Sequence, residues 1–323
     1  MTDRSTRPIK IGTRASELAL RQARIVAAAL EAQGLTCELV TFKTVGDKKL
    51  DEPLSAIGAK GLFTHELEVA LNKKKVDCCV HSLKDLPTEM PDGLAIGAVL
   101  EREDPRDVLV VNPVTGADSL AAIPAGSRVG TSSLRRRAQL TAIRPDLEVV
   151  ELRGNVPTRL KKVDEGRVHA AILAAAGLIR LNAQQHIKEF LEPPAWLPAA
   201  GQGAIAVQIR SDDEEMRALL APLHHAPTDV AVRAERAFLA ALEGGCQVPI
   251  GALVIYDGVR TATLHGFVSD LAGRDPVRGS GPVDVDSPEE SGRALAADLR
   301  TRGATSLLME LRNSQQLISP QPE

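Results

Sequence analysis

Short apolar runs alternate with stretches of helical period along most of this chain. Ile9–Thr13 reads as a strand, and Leu18, Ile25, Val26, Ala29 and Leu30 behind it approximate the helical period, with Ser16 placed to cap the helix they predict. Glu38–Thr44 is rich in β-formers, Thr64 precedes a helical Glu66–Leu71 segment, and Val76–Val80 is an apolar run suited to a buried parallel strand. After Asp104-Pro105-Arg106-Asp107 the alternation resumes. Val108–Val111, Arg128–Gly130, Leu147–Leu152 and Ala170–Ala174 read as strands, with Leu134–Ile143 and Val156–Glu165 as helices. This predicts an α/β unit followed by a sister α/β unit.

The rhythm breaks at Glu192-Pro193-Pro194-Ala195-Trp196-Leu197-Pro198, and Ala204–Ile209 then supplies a strand able to return to the first unit. The remainder differs in kind. Thr228–Leu242 reads as a helix, Ala252–Tyr256 and Thr261–Val268 as strands, and Glu289–Arg302 as a helix, which together predict a small α+β unit. Residues after Arg312 read as a frayed tail.

Composition narrows the function. With 323 residues, 44 % hydrophobic and 25 % charged, the chain is long enough for two or three domains. A net charge of −3 argues against a general nucleic-acid or membrane-surface binder, so any anion site must be concentrated. Aromatic residues make up only 2 %, leaving little on which to stack bases. The cysteines, at 37, 78, 79 and 246, form no Cys-x-x-Cys pair and fit neither a disulfide framework nor a zinc knuckle. No apolar run approaches the ~20 residues of a membrane span, and no signal-peptide core follows the first residues. The expectation is a protein of the reducing cytoplasm.

The candidate chemistry sits at strand ends. Cys246, in Glu243-Gly244-Gly245-Cys246-Gln247-Val248-Pro249-Ile250-Gly251, follows two glycines that strip bulk from around its sulfur, with Pro249 stiffening what comes after. Val76–Val80 runs into His81-Ser82-Leu83-Lys84-Asp85, which places Asp85 where open parallel sheets bind ligands, beside Lys84 and Ser82. Elsewhere an isolated Lys-Asp would be a solvated ion pair. Gly130-Thr131-Ser132-Ser133-Leu134-Arg135-Arg136-Arg137 follows a strand and opens a helix, so N–H groups, hydroxyls and guanidinium groups converge there on an anion. Arg153, Arg159 and Arg180 lie near later strand ends, and arginine grips carboxylates as a rigid fork. Arg14 and Ser16 end the first strand, and Lys60 stands in Gly58-Ala59-Lys60-Gly61-Leu62-Phe63, too sparse for a phosphate-binding P-loop. Gly201-Gln202-Gly203 is a weak glycine signal whose N–H groups can meet a ligand between domains. His224-His225 lacks partners at metal spacing and reads as a surface or capping pair, Cys78 and Cys79 read as core, and no metal is expected.

Taken together, Ile11–Ser16, Lys60–Phe63, His81–Asp85, Glu103–Asp107, Gly130–Arg136, Leu152–Arg159, Gly201–Gly203 and Gly244–Gly251 resemble the porphobilinogen deaminase family, also called hydroxymethylbilane synthases. The resemblance runs in order from about Ile9 to the C-terminal helix and weakens after Asp257. It implies an enzyme of haem biosynthesis that joins four porphobilinogens head to tail with loss of ammonia and releases linear hydroxymethylbilane by addition of water. It implies a dipyrromethane cofactor on a thioether to Cys246. It assigns Asp85 to the pyrrole nitrogens and to the azafulvene cation left when ammonia departs, with Lys84 beside it. Arg14, Arg135, Arg136, Arg153, Arg159 and Arg180 match positions that bind cofactor or substrate carboxylates. Lys60, Lys84, Ser16, Ser82 and Ser133 match polar contacts, Phe63 matches a ring near the site, and Gln202 and Gly203 join the substrate contacts. Ala56 stands where many bacterial members have lysine, and Pro157 where glycine is usual.

The fold implied is two similar type II periplasmic-binding-protein-like α/β domains facing across a cleft, plus a small C-terminal α+β domain presenting Cys246. The boundaries expected are 1–102 with 203–221, 107–199, and 222–316, with flexing crossings near Glu101–Arg106 and Leu197–Gly203. Expected partners are porphobilinogen, the growing polypyrrole and the next enzyme of the pathway, with no nucleic acid or membrane, and a monomer. The rivals are a non-catalytic dicarboxylate-binding protein and a cysteine hydrolase; the Gly-Gly-Cys segment speaks against the first, and no histidine is marked as a base for the second.

Overall fold

In a computed structural model of the chain, the described residues are 7–44, 63–242, 248–258 and 261–310. The first sheet is built from β1 (Ile9–Arg14), β2 (Cys37–Phe42), β3 (Cys78–Ser82) and β4 (Leu94–Val99), with α1 (Glu17–Glu31) and α2 (His65–Asn72) packed against it. The second uses β5 (Asp107–Val111), β6 (Arg128–Gly130), β7 (Glu148–Val150), β8 (Ala170–Ala174) and β9 (Ile187–Leu191), with α3 (Leu134–Ile143), α4 (Val156–Asp164) and α5 (Ala175–Arg180). The chain then returns through β10 (Ile205–Arg210) and α6 (Glu214–Leu220) before α7 (Ala226–Ala241), β11 (Ile250–Tyr256), β12 (Ala262–Val268), β13 (Val277–Pro282) and α8 (Pro288–Leu299) form the third region.

Strand order reveals the kinship of the two large units. The first sheet runs β2-β1-β3-β10-β4 and the second β7-β6-β8-β5-β9. In each, three parallel strands are followed by one antiparallel strand and an edge strand: β10 pairs antiparallel with β3, as β5 does with β8. This is the strand order of type II periplasmic-binding-protein domains, and the third sheet, β11-β12-β13, is an antiparallel meander. The carboxyl ends of β1 and β3 thus share an edge with the start of β10, and those of β6, β7 and β8 share one with the start of β5. Ligands of open α/β sheets bind at such edges.

Local chemistry explains where the helices begin. Ser16, Ser133, Asn155, Asp213 and His225 each accept a hydrogen bond from the first turn of the helix that follows, satisfying one of its orphan N–H groups. The buried stripe of α1 differs from the one its larger residues suggest. It consists of Ala19, Gln22, Ala23, Val26, Ala27 and Leu30, while Ile25 remains 37 % exposed, because alanines allow the helix to lie close on the sheet. β3 begins two residues later than the apolar run implies, and β4, β9, β13, α5 and α6 are elements the pattern did not mark.

The third region is wedged against both others. Ala138 and Leu197 pack with Leu253 and Phe267, and Val232 joins Leu83, Leu86 and Val99. Glu235 of α7, fully buried, receives Arg102 through two hydrogen bonds of 2.6 and 3.0 Å, and accepts the Gly201 and Val254 N–H groups at 2.7 and 2.9 Å. One carboxylate thereby ties both crossings to β11.

Candidate active site

β3 ends at Ser82 and the chain turns through Leu83–Asp85, so Lys84 and Asp85 stand at the carboxyl edge of the first sheet. Opposite them, α3 begins at Ser133 and carries Arg135 and Arg136 back under the second sheet's edge, where both are buried. Their partner is Asp107, the first residue of β5 and fully buried. Arg135 Nη1 donates to Asp107 Oδ2 at 2.7 Å, Arg136 Nη2 to Oδ1 at 2.8 Å, and Trp196 Nε1 to Oδ2 at 2.8 Å. Burial alone would raise the Asp107 carboxyl, but the two guanidinium groups outweigh it and hold it well below the usual carboxylate range. Arg135 also donates to the Leu197 carbonyl at 2.6 Å and Arg136 to that of Ile172 at 3.0 Å.

Around this anchor the charges do not balance. Lys84 is brought down to about 8 by burial and by Arg136 and Arg135, against the pull of Asp85 and Asp107. Arg159 is lowered to about 10 by burial, Arg136 and Arg153, against Asp85. Five cationic side chains, Lys84, Arg135, Arg136, Arg153 and Arg159, thus share one region with Asp85 and Asp107, and Glu151, beside Arg153, still leaves the cations in excess. Among the described residues, the buried Nε atoms of Arg136 and Arg159 meet no hydrogen-bond partner. A buried donor without an acceptor costs ~1–3 kcal/mol, which an anionic ligand would recover. Dipyrromethane, with an acetate and a propionate on each ring, suits this donor set.

The remaining candidates divide. Arg14 stacks over the Phe63 ring with its guanidinium carbon 4.3 Å from the centroid, joining two candidates from separate stretches of sequence. Ser16 and Ser133 are helix caps, which fixes their hydroxyls at the two facing edges. Ser82 exchanges hydrogen bonds with buried Gln22, at 2.8 and 3.2 Å. Arg153 lies in the loop between β7 and α4, 3.6 Å from Glu151. Arg180 ends α5 and donates to the Gly203 carbonyl at 2.6 Å, beside Glu103, so it binds a crossing. Gly203 itself has φ of +89°, and a Cβ there would meet the Glu103 carbonyl at 2.3 Å. Cys246, Lys60 and Ala56 lie outside the described residues.

Sequence reasoning missed Asp107, Trp196, Gln22 and Glu235 as parts of this architecture. Asp107 offered a signal, an acidic residue opening an apolar strand next to an Asp-Pro-Arg turn; Gln22 and Glu235 offered none beyond a polar residue on an apolar helical face. His225 proves to be a cap, and His224 accepts the Val99 N–H at 3.4 Å. Cys78 and Cys79 are core, and burial pushes the Cys79 thiol up. Among the described residues no His, Cys, Asp or Glu cluster could hold a metal, and no helix is long and apolar enough to cross a membrane.

Residues 9–218 match the family model described as porphobilinogen deaminase, dipyromethane cofactor binding domain, and residues 230–301 match that of the porphobilinogen deaminase C-terminal domain. The porphobilinogen deaminase of Moorella thermoacetica is 53 % identical over 94 % of this chain and 96 % of its own length. That of Syntrophobacter fumaroxidans is 50 % identical over 96 % and 99 %. Among solved structures, a Salmonella typhimurium periplasmic binding protein of high arginine specificity aligns with 67 % of this chain and 91 % of its own, at 13 % identity and a TM-score of 0.37. The chain belongs to the porphobilinogen deaminase family, the hydroxymethylbilane synthases.

Proposed function

We propose that Asp85 is the catalytic carboxylate of this enzyme, that Cys246 carries its dipyrromethane, and that the surrounding cations hold the acetate and propionate groups of cofactor and substrate. The family's reaction condenses four porphobilinogens into hydroxymethylbilane, a step of tetrapyrrole biosynthesis, and family membership favours it over the reading as a non-catalytic dicarboxylate binder. The observation that carries the assignment is the cation excess around Asp85, while Asp107 is the carboxylate that Arg135 and Arg136 hold.

Dipyrromethane, when bound, supplies a two-pyrrole primer. The residues named for it are Cys246, Lys60, Ser82, Ser133, Arg135, Arg136, Lys84 and Asp85; those named for substrate are Arg14, Ser16, Phe63, Arg153, Arg159, Arg180 and Gly203, whereas the Gln202 amide is taken up by Lys84, Pro105 and Asp107. Arg136 and Arg159, with buried Nε donors to spare, bind carboxylates of cofactor and substrate respectively, and so orient the rings that carry them. Asp85 then faces the pyrrole nitrogen. It stabilises positive charge as ammonia leaves porphobilinogen and accepts the proton lost when the new bond forms. Lys84 stands beside Asp85, and the attraction of that carboxylate works against the burial that lowers the Lys84 ammonium. A monomeric state and hand-over of product to the next enzyme in the cytoplasm belong to the same reading; light scattering on the purified chain tests the first.

The deciding experiment is the intact mass of the denatured protein and of its Cys246→Ala and Asp85→Asn variants. The wild type should exceed its sequence mass by two porphobilinogen units less two ammonias, and Cys246→Ala should lack that excess. Asp85→Asn should turn over ~10²–10⁴-fold more slowly with unchanged circular dichroism. Near-normal turnover in Asp85→Asn, or an adduct surviving Cys246→Ala, refutes the corresponding role.

A further inference from the structure

We infer that Gln202 is a positioning residue: it holds Lys84 against the arginine anchor across the junction of the two large domains, and so sets where the ammonium stands beside Asp85. The inference rests on the roles proposed above for Lys84 and Asp85. Gln202 lies in the second crossing and is 1 % exposed. Its amide nitrogen donates to the Pro105 carbonyl at 2.7 Å and to Asp107 Oδ1 at 2.8 Å, and its amide oxygen accepts from Lys84 Nζ at 3.3 Å. The amide has one workable orientation, because reversing it would set the NH2 against an ammonium and the oxygen against a carbonyl and a carboxylate. Its hydrogen-bonding groups are thus engaged by the protein.

From Lys84 the path runs through one amide to Asp107, and from Asp107 to Arg135, Arg136 and Trp196. Asp85 and Asp107 attract Lys84, and Arg135 and Arg136 repel it. A neutral acceptor anchors the ammonium near those arginines without cancelling a cation, whereas a carboxylate there would discharge a site built for anions and would repel Asp107. Because Gln202 belongs to one crossing segment and also bonds to the other crossing at Pro105, the placement of Lys84 follows the geometry of the junction.

The test uses holoenzyme carrying Gln202→Met, Lys84→Met or both. Two readouts are taken: the pH profile of kcat/KM, and the pH dependence of Lys84 acylation by an amine-selective reagent, followed by peptide mass. In Gln202→Met the Lys84 titration and the alkaline limb should both fall by about one pH unit, and kcat by about tenfold, since the ammonium loses its acceptor. On the Lys84→Met background the second substitution should change kcat by less than about twofold. Should Gln202→Met fail to fold, Gln202→Asn, which keeps the amide but withdraws its oxygen, must show the same shift. An unmoved Lys84 titration, or equal losses on both backgrounds, overturns the inference. A Lys84→Met enzyme with normal kinetics instead overturns the reading beneath it.

Discussion

Asp107 illustrates how a buried charge can be both costly and indispensable. Desolvating a carboxylate in a sheet edge is offset only because Arg135, Arg136, Trp196 and Gln202 all donate to it. Asp107→Asn keeps the shape and strands two buried guanidinium groups, so stability at pH 7 should drop by about 3–5 kcal/mol in urea titrations. The folded carboxyl is held below its ordinary value, so its contribution is fully present above that value and lost as pH falls through the folded one. The gap between wild type and Asp107→Asn should therefore narrow below about pH 4; a gap constant down to pH 3 would show that the charge is not its source. From sequence, Arg135 and Arg136 were legible as anion binders, but both spend part of their donor capacity on Asp107. Composition names the donors; which acceptor they meet depends on β5 running antiparallel beside β8, a pairing that no local pattern encodes.

Among the elements, those with a strong period or a clear cap were legible: α1, α3 and α7, with the strands that lead into the first two. The ones missed have physical reasons. β9 carries lysine and glutamate and is only partly covered, and β13, Val-Arg-Gly-Ser-Gly-Pro, has almost no β-propensity and exists because β12 pairs with its whole length. The crossings were placed by their prolines and glycines, and Gly203 is one of the points at which they touch. Gly203→Ala combines a strained φ with a collision against the Glu103 carbonyl, whereas Gly34→Ala, at a similar φ of +83° with open space around it, meets strain alone. The Gly203 variant should lose at least twice the stability of the Gly34 variant. It should also exchange the Glu103 amide faster, since that amide donates to the Gly203 carbonyl at 3.2 Å. Equal losses would mean that the close approach of the crossings is dispensable.

For the whole molecule, alternation of strand and helix revealed two α/β units and a different third one, and the resemblance drew them into one enzyme. The clamp at Glu235 could not be read, because its partners Arg102, Gly201 and Val254 are distant in sequence from it and from one another. Glu235→Gln should loosen the third region without unfolding the large sheets: the Val254 and Gly201 amides should exchange faster while those of β8 keep their protection. Unchanged exchange at Val254 would show that apolar packing alone fixes β11. The position of β10 has a further consequence, for synthesis on the ribosome. It lies between β3 and β4 but follows the entire second sheet in the chain, so while residues 107–191 emerge, β3 has no neighbour on one side and β4 no ladder partner. The sheet that carries Asp85 is thus the first begun and the second completed, and it closes only after the arginine-bearing sheet has left the ribosome in one uninterrupted length.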